Sequence, residues 1–282
     1  MNMIAGFEEP SKGRILFDGK DLSRTRIQDR NIGFVFQNHT IFTHLTVWKN
    51  RSYGLEVKGV SKFEIDRRFR AMADCMSISH RLENPASSLS VNEMQKLAIG
   101  RSAIVEPRIF LLDEPLSNLD AAFRACMRAE LKVLQHEFGQ TMVYVTHDQI
   151  EAMTLGDKVA VMKDGIIQQF GTPKDIYNNP ANLFVASFIG SPPMNFIPLR
   201  MQVRDGQCFG LLDSGQARCE LPLGAAAELQ GRELMLGMRP EQILLAPAES
   251  TLPSVRAEVE VVEPTGPDTL VFVSLNQTKV CC

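Results

Sequence analysis

No C-x-x-C spacing occurs among the six cysteines, Cys75, Cys126, Cys208, Cys219, Cys281 and Cys282. That argues against a zinc site or a redox pair, and scattered thiols point to a reducing compartment. Positive charge is also short: 30 lysines and arginines face 33 aspartates and glutamates, for a formal net charge of -3 and a pI near 6.0. A nucleic-acid binder shows a basic balance or a basic stripe. Here the densest basic cluster, Arg67–Arg68 with Arg70, lies beside Glu64 and Asp66 on a helical stretch and reads as a solvated face. No apolar run approaches the ~20 residues that span a bilayer, and Met1–Glu9 lacks a basic region ahead of its short apolar run. The expectation is a soluble cytoplasmic chain that binds no nucleic acid and reaches a membrane only by docking on other subunits. Internal repeats and low-complexity tracts are absent too.

What is present suffices for two domains: 282 residues, 44% of them apolar. The first part reads as α/β. Arg14–Phe17 is a short strand ended by the turn pair Asp18-Gly19, and Ile32–Phe36 is an apolar run suited to a buried strand. From Val47 to about Ser88, Phe63, Ile65, Phe69, Met72, Ala73 and Met76 recur at helical spacing, which predicts a helical subdomain. Ile109–Leu112 is a second buried strand. Asp120 can cap a helix over Ala121–Phe138 that Gly139 ends, Met142–Val145 is the next strand, and Asp148 can start a helix towards Leu155. Val159–Met162 and Ile166–Phe170 flank Asp164-Gly165 as a hairpin. After Pro198 short alternating strands take over, with turns at Asp205-Gly206 and Ser214-Gly215, and Arg256–Val262 and Thr269–Val273 continue the pattern. The expected boundary is the break at Gly190-Ser191-Pro192-Pro193, with an α/β domain over 1–190 and a small all-β domain over 191–282.

Chemistry concentrates at three strand ends. Ile109–Leu112 runs into Asp113-Glu114, Val143–Val145 into Thr146-His147-Asp148, and Val35-Phe36 into Gln37. In an α/β sheet, ligands bind at the carboxyl ends of the strands. One carboxylate there can hold Mg²⁺ through water and a second can polarise an attacking water. Each motif alone is also what a buried strand ending in a polar turn produces. Their order, followed by Ser117-Asn118-Leu119-Asp120, points to one shared ligand.

On these residues the chain resembles the ABC ATPases, and within them the ATP-binding subunits of maltose- and related carbohydrate-importing systems. Ile109–Glu114 matches the Walker B strand, Leu116–Asp120 the D-loop, Gln37 the Q-loop glutamine, and His147 the switch histidine. Tyr177–Ala181 and Phe184–Pro192 look like the run between the family's two domains, Met194–Phe196 like the entry to its β domain, and Gly237-Met238-Arg239-Pro240-Glu241 like an element of its regulatory domain. The resemblance implies a P-loop-type ABC ATPase domain with a helical subdomain, followed by an OB-like regulatory domain. It implies ATP and Mg²⁺ as cofactors. Asp113 and Gln37 would contribute to the Mg²⁺ site, Glu114 would act as general base, His147 would contact the γ-phosphate, and Ser90 and Asp120 would meet nucleotide or partner across a dimer interface. The implied partners are a second copy or an intact ATPase subunit, two integral-membrane permease subunits and, indirectly, a solute-binding protein, on the inner face of the cell membrane. The implied role is to power import of carbohydrates such as maltose, maltodextrin or polyols.

Two departures from the family pattern set further expectations. No G-x-x-x-x-G-K-[ST] occurs, although the family places it just before the run that here reads Met3–Glu8. That loop cradles the β- and γ-phosphates, so without it the chain reads as N-terminally truncated and unable to turn over ATP. The run to Cys281-Cys282 likewise reads as stopping within the β domain. The family's Leu-Ser-Gly-Gly-Gln element is here Leu89-Ser90-Val91-Asn92-Glu93, which replaces two glycines by bulkier residues and brings a carboxylate towards a triphosphate. Loss of neighbouring strands would leave Ile32–Phe36 with an exposed edge and the chain poorly soluble. A decayed importer ATPase is the favoured history, with a non-catalytic regulatory subunit as the alternative. A DNA-maintenance relative would need heptad helices or a basic groove, and neither is present.

Overall fold

The structure, a computed structural model, describes residues 1–38, 40–76, 78–205, 207–213, 218–224, 234–246, 254–275 and 277–282. The chain divides into two units, Met1–Asp157 and Lys158–Cys282.

Local chemistry sets the ends of the first elements. Helix α1 (Asn2–Ala5) stops at Gly6, whose φ of 93° is left-handed and where a Cβ would meet the Arg30 guanidinium at 2.8 Å. Asp18 and Gly19, at φ 47° and 75°, turn β1 (Leu16–Phe17) into β2 (Lys20–Asp21). The strand is shorter than its apolar run because the Ile15 N–H goes to the Ser23 hydroxyl (2.9 Å) instead of a strand partner.

Three parallel strands follow: β3 (Ile32–Val35), β4 (Ile109–Asp113) and β5 (Thr141–Val145), ordered β3-β4-β5. The register pairs Ile32 with Ile109 and Val35 with Leu112, then Ile109 with Thr141 and Asp113 with Val145. Residues Ile109–Leu112 of the central strand are all buried, as expected of a strand covered on both faces. Phe110 and Leu112 pack into the larger core with the helices, while Ile109 and Leu111 face Ala5, Phe17, Ile32 and Phe34.

The helices are α2 (Val47–Val57), α3 (Lys62–Met76) and α4 (Val91–Ala103) between β3 and β4, α5 (Ala121–Phe138) between β4 and β5, and α6 (Gln149–Leu155) after β5. Asp120 caps α5 by accepting the Phe123 N–H at 2.9 Å, and Gly139 at φ 56° closes it, at the boundaries its sequence implies. Val47, Leu55, Ile65, Phe69, Leu97 and Ile99 place the helical subdomain's apolar face in the core.

In the second unit, β6 (Val159–Lys163) and β7 (Ile166–Gly171) form the hairpin, turning at Asp164 and Gly165 with φ 51° and 76°. Helices α7 (Pro173–Asn178) and α8 (Leu183–Phe188) lead to β8 (Asn195–Arg204), β9 (Gln207–Asp213), β10 (Arg218–Gly224) and β11 (Leu234–Met238), ordered β10-β9-β8-β11. A second sheet, β12 (Glu258–Pro264), β13 (Thr269–Leu275) and β14 (Thr278–Cys281), packs on the first through Ile197, Leu199, Leu212, Val273, Leu275 and Val280. Gly206 and the Ser214-Gly215 turn lie outside the described residues. Among the described residues no helix is long and apolar enough to cross a membrane.

Candidate active site

Because β3, β4 and β5 are parallel and in register, their carboxyl ends emerge side by side. Gln37 lies two residues beyond β3, Asp113 ends β4 and Glu114 follows it, and His147 lies two residues beyond β5. The Gln37 amide nitrogen donates to Glu114 Oε2 at 3.1 Å, and His147 Nδ1 stands 3.3 Å from the same oxygen. Glu114 is thus the shared partner of the other two. Its backbone, at φ 44°, takes a conformation that L-residues adopt only when the surroundings impose it. Here its N–H donates to Val145 O at 2.9 Å while its carbonyl accepts the Ser117 hydroxyl at 3.0 Å. Asn118 in turn donates to the Gln37 carbonyl at 3.3 Å. The side chain of Glu114 is 29% exposed and that of His147 is 70% exposed, so the pair opens to solvent on the histidine side.

Ser90 and Asp120 form a second group. Ser90 is the N-cap of α4, and Glu93 completes a capping box. Glu93 Oε2 accepts both the Ser90 N–H and the Ser90 hydroxyl at 2.9 Å, and Arg81 lies 3.1 Å from Glu93 Oε1. The carboxylate that the sequence reading brings towards a triphosphate is therefore tied to its own helix start. The Ser90 N–H first, then the Ser90 hydroxyl and Arg81, hold the Glu93 carboxyl below its ordinary pKa. Asn92 donates to Asp120 Oδ2 at 3.3 Å, so the starts of α4 and α5 are joined. The Phe123 N–H, then the Asn92 amide, lower the Asp120 pKa.

The sequence pattern of the family described as ABC transporter matches residues 1–117, and that of the MalK OB fold domain matches residues 190–243. The chain is 41% identical over 275 residues to the maltose/maltodextrin import ATP-binding protein MalK of Yersinia pestis bv. Antiqua, an alignment covering 98% of this chain and 74% of that protein. It is 43% identical over 276 residues to the sn-glycerol-3-phosphate import ATP-binding protein UgpC of Vibrio vulnificus, covering 98% and 72%. The trehalose/maltose import ATP-binding protein MalK of Thermococcus litoralis is 42% identical over 292 residues, covering 98% and 77%. The chain belongs to the ATP-binding subunits of ABC importers. Among solved structures, cbiO1 from Clostridium perfringens, part of the ABC transporter complex cbiONQ, matches with a TM-score of 0.59 at 30% identity, over 64% of this chain and 74% of that one.

Nucleotide binding is the chemistry of this family, so the donor set can be tested against Mg²⁺ and ATP. Among the described residues no three His, Cys, Asp or Glu come together as a metal cage. Asp113 and Gln37, at the ends of neighbouring strands, would offer two oxygen ligands. That suits Mg²⁺, which keeps several waters and takes one or two protein ligands together with substrate phosphates. With its amide nitrogen given to Glu114, Gln37 has its side-chain oxygen left as the atom that would face a cation. The G-x-x-x-x-G-K-[ST] pattern, whose backbone N–H groups cradle phosphates, occurs nowhere in the 282 residues.

Sequence reasoning missed the residues beneath this site. Thr146 and Tyr144 both donate to the buried carboxylate of Glu151, and Arg124 lies 3.3 Å from Asp148. A carboxylate on the inward face of α6 was the available signal. Burial first, then Glu151, holds the Tyr144 phenol well above its ordinary pKa, so it stays a hydrogen-bond donor.

Proposed function

We propose that this chain is the ATP-binding, energy-coupling subunit of an importer for small polyhydroxylated solutes, such as maltose, maltodextrin or a polyol. The observation that carries the reading is the convergence of Gln37 and His147 on one oxygen of Glu114 at the ends of three parallel strands. The relatives support the solute class, since they are named for import of maltose, trehalose or sn-glycerol 3-phosphate. In this reading Asp113 and Gln37 would hold Mg²⁺, which would neutralise phosphate charge. Glu114 accepts a proton from the attacking water, and His147 contacts the γ-phosphate. Ser90 and Asp120 lie at the face turned to a second ATP-binding subunit, either another copy or an intact one. Residues 1–190 form the nucleotide-handling domain and 191–282 the regulatory β domain. Two permease subunits seat the chain at the cytoplasmic face of the membrane, and a solute-binding protein acts through them.

The test is purification of the tagged chain from its own source with its bound subunits, followed by ATP hydrolysis and uptake into proteoliposomes. The 282 residues alone, which lack the phosphate loop, are expected to show no turnover; joined in frame to a relative's G-x-x-x-x-G-K-[ST] loop they are expected to hydrolyse ATP, and there Glu114→Gln is expected to lower turnover by about 10²–10⁴-fold with nucleotide binding retained, the range of a general base. Unchanged turnover and uptake in both Glu114→Gln and His147→Ala would overturn the assignment.

A further inference from the structure

Between the end of β5 at Val145 and the start of α6 at Gln149 only Thr146, His147 and Asp148 turn the chain. Two of the three are pinned by side-chain hydrogen bonds. The Thr146 hydroxyl donates to Glu151 Oε2 at 2.7 Å and accepts the Asp148 N–H at 2.9 Å. Asp148 Oδ1 accepts the N–H groups of Ile150 and Glu151 at 2.8 and 3.3 Å, and its Oδ2 lies 3.3 Å from Arg124 Nη1. Tyr144, on the strand itself, donates to Glu151 Oε2 at 2.9 Å. The carboxylate that gathers these donors is only 2% exposed. His147 is the one residue of the turn whose side chain leaves this network, with its ring towards Glu114.

Burying a carboxylate is costly unless its hydrogen bonds replace the lost water. Two hydroxyls from residues on either side of Val145 do so here, and they tie the strand end, the turn and the helix to one oxygen. A hydrophobic residue could fill the same volume but could not fix the direction in which residue 147 leaves the backbone.

We propose that Glu151 is a positioning residue. Its buried carboxylate, through Thr146 and Tyr144, sets the turn that presents the His147 imidazole to Glu114. The proposal rests on the reading of His147 and Glu114 as a working pair. It adds a group that touches neither nucleotide nor metal.

Which imidazole nitrogen carries the proton reports the arrangement, because it is set by the hydrogen bond the ring makes. Opposite Glu114, His147 is expected to hold its proton on Nδ1, whereas a solvated ring favours Nε2. The full-length chain, ¹⁵N-labelled at its five histidines, is examined by long-range ¹H–¹⁵N spectra at a pH where the rings are neutral, with His147 assigned from His147→Gln. Glu114→Gln is expected to reduce the Nδ1–H share by about twofold or more. Glu151→Leu should do the same with Glu114 intact, while Glu151→Gln, which keeps an acceptor oxygen, should restore the native ring. The rings of His44, His80 and His136 should stay unchanged throughout. If Glu151→Leu does not fold, Thr146→Val makes the same test from the donor side. A ring that responds to Glu114→Gln but is native in folded Glu151→Leu or Thr146→Val overturns the positioning role and leaves the pair standing. A ring indifferent to Glu114→Gln overturns the pair and the role together.

Discussion

The guanidinium carbon of Arg51 lies 4.3 Å from the ring centre of Phe69, inside the helical subdomain. Arg51 is fully buried, and none of its three side-chain nitrogens has a hydrogen-bond partner among the described residues. The aromatic face returns ~2 kcal/mol when desolvated, less than the several kcal/mol for an uncompensated buried ion. Arg51→Met is therefore expected to stabilise the chain, by about 1–4 kcal/mol. Urea denaturation followed through Trp48, which stacks on Phe69, measures it. Burial pulls the Arg51 pKa down to about 10. The folded value lies below the unfolded one, so the unfolded chain binds the proton more tightly. The penalty is fully present at neutral pH and lifts only as pH rises above about 10. A less stable Arg51→Met would contradict this account.

Removing Glu93 tests the capping box. Glu93→Ala removes the oxygen that accepts the Ser90 N–H and hydroxyl and leaves Arg81 without its carboxylate. The expected loss is about 1 kcal/mol at pH 7. The folded pKa is depressed, so this contribution is present above the unfolded value of about 4.5 and fades as pH falls through the folded value. Melting curves of both proteins should converge on acidification, and a gap that persists at low pH would count against a charged cap.

Arg239 gathers the chain before the β domain. Its guanidinium, 2% exposed, donates to the carbonyls of Ile189 and Tyr177 and lies 4.1 Å over the Tyr177 ring, whose hydroxyl reaches Glu241 at 2.7 Å. Arg239→Ala leaves buried carbonyls unpaired and is expected to cost on the order of 3 kcal/mol. Arg239→Lys should not recover it, since an ammonium cannot span the fork. Amide exchange in 177–190 should accelerate in both variants, and protection retained there in Arg239→Ala would refute the clamp.

Asn195 closes the β unit in a similar way. Its amide nitrogen donates to Cys281 O at 2.7 Å and its oxygen accepts the Cys281 N–H at 2.8 Å, both buried. Asn195→Leu is expected to destabilise by about 2 kcal/mol or more, because a buried donor and acceptor lose their partners together. Hydrogen exchange at the Cys281 amide should rise most steeply, and an unchanged rate there would argue that water replaces the side chain.

Element ends set by local chemistry were readable in advance. Asp120 and Gly139 bound α5 because a cap and a left-handed turn need only their own neighbours. The strand ends were readable for the same reason, as Asp113-Glu114 and Thr146-His147 follow unbroken apolar runs. Ser90-x-x-Glu93 has the spacing of a capping box, but against the family element Glu93 stands out by its charge and not as a helix start. Glu151 was hidden because its partners sit five and seven residues back, across a strand, a turn and a helix start, a spacing no periodicity marks. Arg51 falls within α2 beside Asn50 and Ser52, and nothing in that polar run announces burial. The Leu16–Phe17 strand came out shorter than its apolar run for a local reason, the Ser23 hydroxyl taking the Ile15 N–H.

The pairing of β3 with β4 has a consequence for synthesis. Val35 ends one strand and Ile109 begins the next, with α2, α3 and α4 between them. At ~5–20 residues per second a ribosome needs roughly 4–15 s to make that intervening stretch. Over that interval Ile-Gly-Phe-Val-Phe has left the tunnel without its neighbour, while the helices can begin to assemble on one another. The nascent chain thus offers a short, uncharged, aromatic segment to any holdase at the tunnel exit, and translation speed through residues 36–108 governs how long it does so.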